Sequence, residues 1–385
     1  MDFYKTTFNE GWSSLVLAFV IFAIVRLWPR LVYEIELRRL PLVGEEHSRS
    51  KRVKNYFFSA TTVYQEGYEK FKGVFHRITT LSGDHIIIPS RYLDELRQLP
   101  ESDIDVLHTF KDILPELVRL EDHRKDMKAF LEPVIDERRR MKLAGNRLPD
   151  DALQWILEKS DAAGITSITD LANMQLLLNM AAIHTTTLTT TRILYDLAAH
   201  PTTVADLREE IRTVLKANNG VMTTKALFDM KLTDSVMRES QRLNPPLSAL
   251  KDGTCIPAHS FIEAASTAVL RDPALYPDPE RFDPYRFYKL RTTDMPDPIG
   301  YKSREQYQFV SVTKENMSFG LGRHACPGRF FAANEIKLIL ARILLEYDIK
   351  MPDGVETPYS NFSVGATNAT DPTKKILLRK VRTQG

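Results

Sequence analysis

The sequence predicts a mainly α-helical fold with small β-sheets. Three observations lead there. Long stretches space their apolar residues for helices, most clearly Ile168 to Ala199 and Arg329 to Glu346. The β-branched runs are few and short: Val74–Thr80, His85–Pro89, Tyr347–Met351 and Ile376–Val381. Turn signals such as Asn219-Gly220 and Asn244-Pro245-Pro246 punctuate the chain at helix-length intervals. With 385 residues, 43% of them hydrophobic, the chain can bury a sizeable core. A net charge of +2 gives no electrostatic reason to expect nucleic acid as a partner. Two cysteines, Cys255 and Cys326, speak against a disulfide framework and fit a reducing, cytosol-facing environment.

Taken in order, residues 1–10 are polar and Trp12 to Val25 is nearly all apolar. That core is short for a full span, but flanking tryptophans and a snorkelling Arg26 would let it cross a membrane. Arg26, Arg30, Arg38 and Arg39 follow it and only Lys5 precedes it, which places the body in the cytosol. A cleaved signal peptide competes, but the start is not basic and no small-residue cleavage site follows. The expected organisation is an anchor over 1–29, a linker over 30–56 and one domain over 57–385. Leu40-Pro41-Leu42-Val43-Gly44 reads as a stiff connector ending in a turn.

Ser59 to Gly73 predicts a helix, and Leu81-Ser82-Gly83-Asp84 predicts a hairpin between the first two strands. Arg91–Leu99 is a short helix, and Asp103 to Leu143 is helical and heavily charged. Its cluster Arg138, Arg139, Arg140 and Lys142 reads as a solvated face or as part of a docking surface. Asp150–Lys159 is helical, with Trp155 in the core. Pro201–Asn218, Met222–Met230 and Lys231–Leu243 follow as helices, then a hairpin over Gly253–Thr267 and an irregular, proline-rich Arg271–Tyr301.

Three stretches carry chemistry. Phe319-Gly320-Leu321-Gly322-Arg323-His324-Ala325-Cys326-Pro327-Gly328 sets a cysteine in a glycine-rich loop ahead of a helix. The glycines let backbone approach a flat object, and the positive end of a helix favours a thiolate. A metal ligand, a nucleophile and a buried bystander all remain open on those grounds. In Ala181-Ala182-Ile183-His184-Thr185-Thr186, two alanines leave room and six threonines over Thr185–Thr191 can back-bond and bend the helix. Glu239 and Arg242 share a helix face three residues apart, a pattern that is usually a weak surface pair.

Together these stretches resemble the cytochrome P450 family. The spacing Phe319, Gly322, Cys326, Gly328 is similar to that family's haem loop, in a form resembling fungal secondary-metabolism members. The resemblance implies that Cys326 is the axial thiolate on the iron of haem b, and that Arg323 and His324 meet a propionate. His324 stands where most members carry arginine. It further implies that Thr185 would steady dioxygen and relay protons, with His184 in place of the usual acid. Glu239, Arg242 and Arg281 would form a buried brace behind the haem loop. The implied protein is an endoplasmic-reticulum, single-pass monooxygenase. Electrons would come from NADPH through a cytochrome reductase, and the substrate would be a lipophilic terpenoid or indole-diterpene. The family's Trp-x-x-x-Arg helix is missing, and a second gap follows Pro246, so part of the distal helices is expected to be lacking. The alternative expectation is a shortened, inactive, membrane-tethered member.

Overall fold

The computed structural model describes residues 27–28, 31–96, 120–245, 262–322, 325–365 and 367–381. It is mainly helical with small sheets. The expected anchor over Trp12–Val25 lies outside the described residues, as does Cys255. Among the described residues no helix is long and apolar enough to cross a membrane. The chain divides into two units: residues 1–98, 247–272 and 363–367 form one, and residues 99–246, 273–362 and 368–385 form the other.

In the first unit the connector bends at Gly44, whose φ of +68° suits glycine. Val43 donates its N–H to the Arg77 carbonyl at 2.9 Å, so the connector is tied to the sheet. Helix α1 (Arg49–Lys70) is capped by Ser48, which accepts from Lys51 N–H. It starts ten residues before the expected Ser59, which instead marks a kink with φ −149° and ψ 43°. Strands β1 (His76–Thr79) and β2 (Asp84–Ile88) form the expected hairpin, closed by Thr80 N–H to the Gly83 carbonyl at 2.7 Å. The hairpin expected over Gly253–Thr267 differs. Its described end is strand β3 (Ile262–Ala264), parallel to β2, followed by a short helix at Ser266–Val269. Parallel pairing buries the run Ile86–Ile88, which an isolated hairpin would leave uncovered. Tyr56, Ala60 and Tyr64 fall four apart on α1 and pack on Ile78, Ile87 and Ala268. Each fully buried isoleucine there contributes about 1.5–3 kcal/mol.

The second unit holds most of the helices. Helix α2 (Leu120–Leu143) packs against α3 (Ala152–Ala162) and α4 (Ile168–Asn179) through Leu131, Ile135, Leu157 and Leu171. Asp151 caps α3 by accepting Gln154 N–H at 2.9 Å. It also takes both Arg138 guanidinium nitrogens at 2.6 and 2.7 Å. Lys142 reaches Asp161 at 3.0 Å, so two members of the basic cluster brace α2 to α3. Trp155 is not in the core. The buried stripe of α3 is Gln154, Leu157 and Ser160, and Trp155 falls off it, exposed, with its N–H on Asp150.

Next come α5 (Thr185–Ala198), α6 (Pro201–Ala217), α7 (Thr224–Asp229) and α8 (Lys231–Leu243). Proline opens α6, where its missing N–H costs nothing. The stretch read as irregular contains α9 (Arg286–Thr292), which docks on α8. Helix α10 (Arg329–Glu346) has the bounds expected from sequence and leads into β4 (Tyr347–Lys350), antiparallel to β5 (Leu377–Lys380). One core joins these parts: Ile193 and Leu197 of α5, Leu207 and Ile211 of α6, Val236 and Met237 of α8, and Ala333, Ile336 and Leu340 of α10.

Gly67 sits inside α1, where alanine would normally gain about 1 kcal/mol. A Cβ there would lie 2.6 Å from His76 Nε2 and 2.9 Å from Val43 Cγ2. Overpacking of about 1–3 kcal/mol exceeds that gain. Gly67→Ala is therefore expected to lower the thermal midpoint, and a midpoint equal to or above wild type would show that the contact relaxes freely.

Candidate active site: a cysteine loop braced by buried charge

The loop before α10 is shaped by its glycines. Gly320 and Gly322 have φ of +81° and +62°, a region unfavourable to other residues. Gly320 N–H reaches the Met317 carbonyl at 2.8 Å, and Cys326 N–H returns to the Phe319 carbonyl at 2.7 Å. The loop therefore closes on itself, with Cys326 fixed at its end. Arg329, the first residue of α10, donates to the Cys326 carbonyl at 2.8 Å. Cys326 is half-buried. A Cβ on Gly328 would meet only that sulfur, at 3.9 Å, so glycine keeps one side of the thiol clear. The Phe319 ring packs edge-on against buried Phe309, centroids 5.2 Å apart. Arg323 and His324 lie outside the described residues.

The helix expected over Ile168–Ala199 is continuous but not uniform. Between α4 and α5, Met180–His184 forms a π-turn. Such turns interrupt the regular bonding, and the Thr185 hydroxyl compensates by donating to the Ala181 carbonyl at 2.6 Å. Thr190 repeats this on the Thr186 carbonyl at 2.8 Å. The Thr185 proton is thus committed, and its oxygen keeps lone pairs to accept. Ala181 through Thr185 are all exposed, as are Met174, Leu177, Leu178 and Ile183.

Behind the loop stands α8, buried at every residue from Leu232 to Arg242. Glu239 accepts from Arg242 at 2.8 and 2.9 Å, from Arg286 Nε at 3.1 Å and from Asp283 N–H at 3.0 Å. The sequence reading named Arg281 as the third member, and this is corrected. Arg281 is exposed and enters only through its carbonyl, which accepts from Arg286 at 3.3 Å. Pro-x-Arg-Phe occurs twice, at Pro279–Phe282 and at Pro284–Phe287. The second copy opens α9 and is the one docked on α8, a repeat visible in the sequence that would have exposed the ambiguity.

A second buried carboxylate was not anticipated. Asp234 takes Arg291 at 3.0 Å, Lys337 at 2.9 Å and the Phe309 N–H at 2.9 Å. Lys337 belongs to α10, and Phe309 carries the ring under Phe319. Asp234 therefore links α8 to both ends of the cysteine loop. Arg238, also buried, donates to the Gln306 and Gln308 carbonyls and stacks 4.6 Å from the Phe287 centroid.

Between α5 and α8, Asp196 pairs with Arg192 at 2.9 Å and accepts from Ser240 at 2.6 Å. Burial pushes its carboxyl up to about 6, against the pull of Arg192 and Ser240. Arg192 also donates to the Tyr359 carbonyl and to Asn361 at 3.3 Å.

The residues present fit a flat, apolar group with a soft metal centre. The sulfur is a soft donor with a glycine beside it. Phe330 and Phe331 stand exposed just after the loop, and the apolar side chains around the π-turn are uncovered. A sequence profile described as Cytochrome P450 matches residues 94–377. The chain belongs to the cytochrome P450 family, whose cofactor is haem. It is 41% identical over 288 residues to the cytochrome P450 monooxygenase braC of Annulohypoxylon truncatum, covering 70% of this chain and 55% of that protein. It is 38% identical over 262 residues to the cytochrome P450 monooxygenase phqO of Penicillium fellutanum, covering 65% and 56%. The chain thus spans just over half the length of these relatives.

Removing one partner from a buried charge cluster costs about 3–5 kcal/mol, whereas an exposed arginine is worth within about 0.5 kcal/mol. Arg286→Ala should therefore shift the urea midpoint sharply downward and Arg281→Ala should leave it in place. The reverse pattern would restore Arg281 as the brace. For Asp196 the folded pKa is raised, so the native state binds the proton more tightly than the unfolded chain. Stability is full below the unfolded value of 3.8 and declines as pH rises towards about 6. Denaturation followed across that window should show the decline in wild type and a flatter profile in Asp196→Asn.

Proposed function

We propose that this chain is a haem-thiolate monooxygenase oxidising a lipophilic secondary metabolite of terpenoid or indole-diterpene type, with electrons delivered from NADPH by a cytochrome reductase. The observation that carries the reading is the fixed cysteine loop at the head of α10, tied through Lys337 and Phe309 to buried Asp234. The fungal relatives described as monooxygenases support the same reaction class.

In this reading Cys326 holds the haem iron, and the Phe319–Cys326 backbone bond fixes where its sulfur sits. Arg323 and His324 would hold the propionates. Bound haem supplies the activation of dioxygen, and a thiolate ligand favours O–O cleavage. The Thr185 hydroxyl gives its own proton to the Ala181 carbonyl, so its oxygen would be left to accept a proton passed towards the site. His184, next to it and exposed, is placed to pass protons between solvent and the site. Exposed Leu177, Leu178 and Ile183 give the substrate side an apolar character. Residues 1–29 tether the protein to the endoplasmic reticulum, with the body over 57–385 in the cytosol.

The carbon-monoxide difference spectrum of the reduced full chain in membranes tests this reading. A strongly red-shifted Soret band is expected in wild type and in Thr185→Ala, and its loss in Cys326→Ala. Thr185→Ala should also lower product formation by about 10²-fold, the usual worth of a proton-relay group. A wild-type chain that retains no haem would instead make this a non-catalytic member of the family.

A further inference from the structure

The first unit holds a constellation of side chains that the haem site does not use. Ser82 lies exposed in the hairpin turn between β1 and β2, and its Oγ stands 2.9 Å from His85 Nε2. The opposite ring nitrogen, Nδ1, stands 2.7 Å from Glu263 Oε1. His85 and Glu263 are only 8% and 6% exposed. The second Glu263 oxygen accepts from the buried Tyr64 hydroxyl, so the carboxylate is itself held in place.

We propose that Ser82 is an activated nucleophile that is acylated by small carboxylic esters, with His85 as its base and Glu263 as the positioning residue. A carboxylate only accepts, so the neutral imidazole carries its proton on Nδ1 and presents the Nε2 lone pair to Ser82. The Thr80 hydroxyl competes for the serine proton, at 3.2 Å, but donates its own proton to the Gly83 carbonyl at 2.8 Å. The imidazole nitrogen is nearer and more basic, so it wins. Gly83 follows the nucleophile, and a Cβ built there meets no atom within 4 Å, which leaves room for an unhindered ester. This order of nucleophile, base and oriented base partner is how hydroxyl groups are activated in unrelated folds.

The chemistry balances with water as the only co-reactant. Ser82 Oγ bonds to the ester carbonyl carbon and its proton passes to His85 Nε2. The C–O bond to the alcohol breaks, and the leaving oxygen takes that proton. Water then attacks the acyl-serine, gives a proton to the same nitrogen, and the acid departs as Ser82 is reprotonated. A purely structural role, with His85–Glu263 simply linking β2 to β3, would leave Ser82 inert.

The test is p-nitrophenyl acetate added to the purified full chain, read by p-nitrophenolate release and by mass spectrometry of the Ser82 peptide. An acetyl increment on Ser82 is expected. Ser82→Ala, a change in an exposed turn, should keep the fold by circular dichroism and lose the increment. His85→Gln should slow acetylation by about 10²-fold. Glu263→Gln, which can donate to Nδ1 and so reverse the tautomer, should slow acetylation, and Glu263→Asp, which can only accept, should restore it in part. Folded wild type with no acetyl on Ser82, or acetylation as fast in folded His85→Gln as in wild type, would overturn the proposal.

Discussion

The second unit depends on charge buried in α8. Glu239 and Asp234 lie one and a half turns apart on a helix with no exposed face over Leu232–Arg242, and each is surrounded by donors. An unpaired carboxylate in that position would be prohibitively costly, so the partners must be in place for the helix to be buried at all. Those partners come from three other segments. Arg286 and Arg291 are supplied by α9, Lys337 by α10, and the Phe309 amide by the strand of chain leading to the cysteine loop. Satisfying two carboxylates therefore fixes four pieces of chain relative to one another.

The cysteine loop inherits its precision from that arrangement. Its own bonds are local: two left-handed glycines, the Phe319–Cys326 closure and the Arg329 donor. These would set the shape of the loop but not its position. The position is set by Phe319 packing on Phe309 and by α10 anchored through Lys337, both referred to Asp234. The helix bearing Thr185 is referred to the same frame by Ser240 on Asp196 and by the shared apolar core of α5, α8 and α10. In the function proposed above, a ligand sulfur and a hydroxyl would serve one reaction and need such a common reference, because misplacement of about 1 Å costs about 10²-fold in rate.

The first unit follows different rules. Its sheet is built from a tight hairpin and a distant parallel strand, and its polar interior is a chain of neutral and ionic hydrogen bonds from Tyr64 through Glu263 and His85 to Ser82. Residues 178 positions apart meet there, so nothing in the local sequence of the hairpin announces that His85 will face a carboxylate.

The sequence by itself determined what short-range physics decides. Glycine spacing shaped the cysteine loop, apolar periodicity set α10 at Arg329–Glu346, and the Leu81–Asp84 turn paired β1 with β2. Alanines and threonines in the right order marked the place where the helix turns wide. Tertiary structure decided everything that rested on a choice among similar candidates. Arg281 and Arg286 occupy near-identical Pro-x-Arg-Phe motifs, and only docking of α9 on α8 brings Arg286 to Glu239. Trp155 is apolar and helical, yet the buried stripe of α3 passes it by. Asp234 looks like any surface aspartate in sequence. Its burial follows from partners more than fifty residues away, and long-range contacts of that kind leave no periodic trace along the chain.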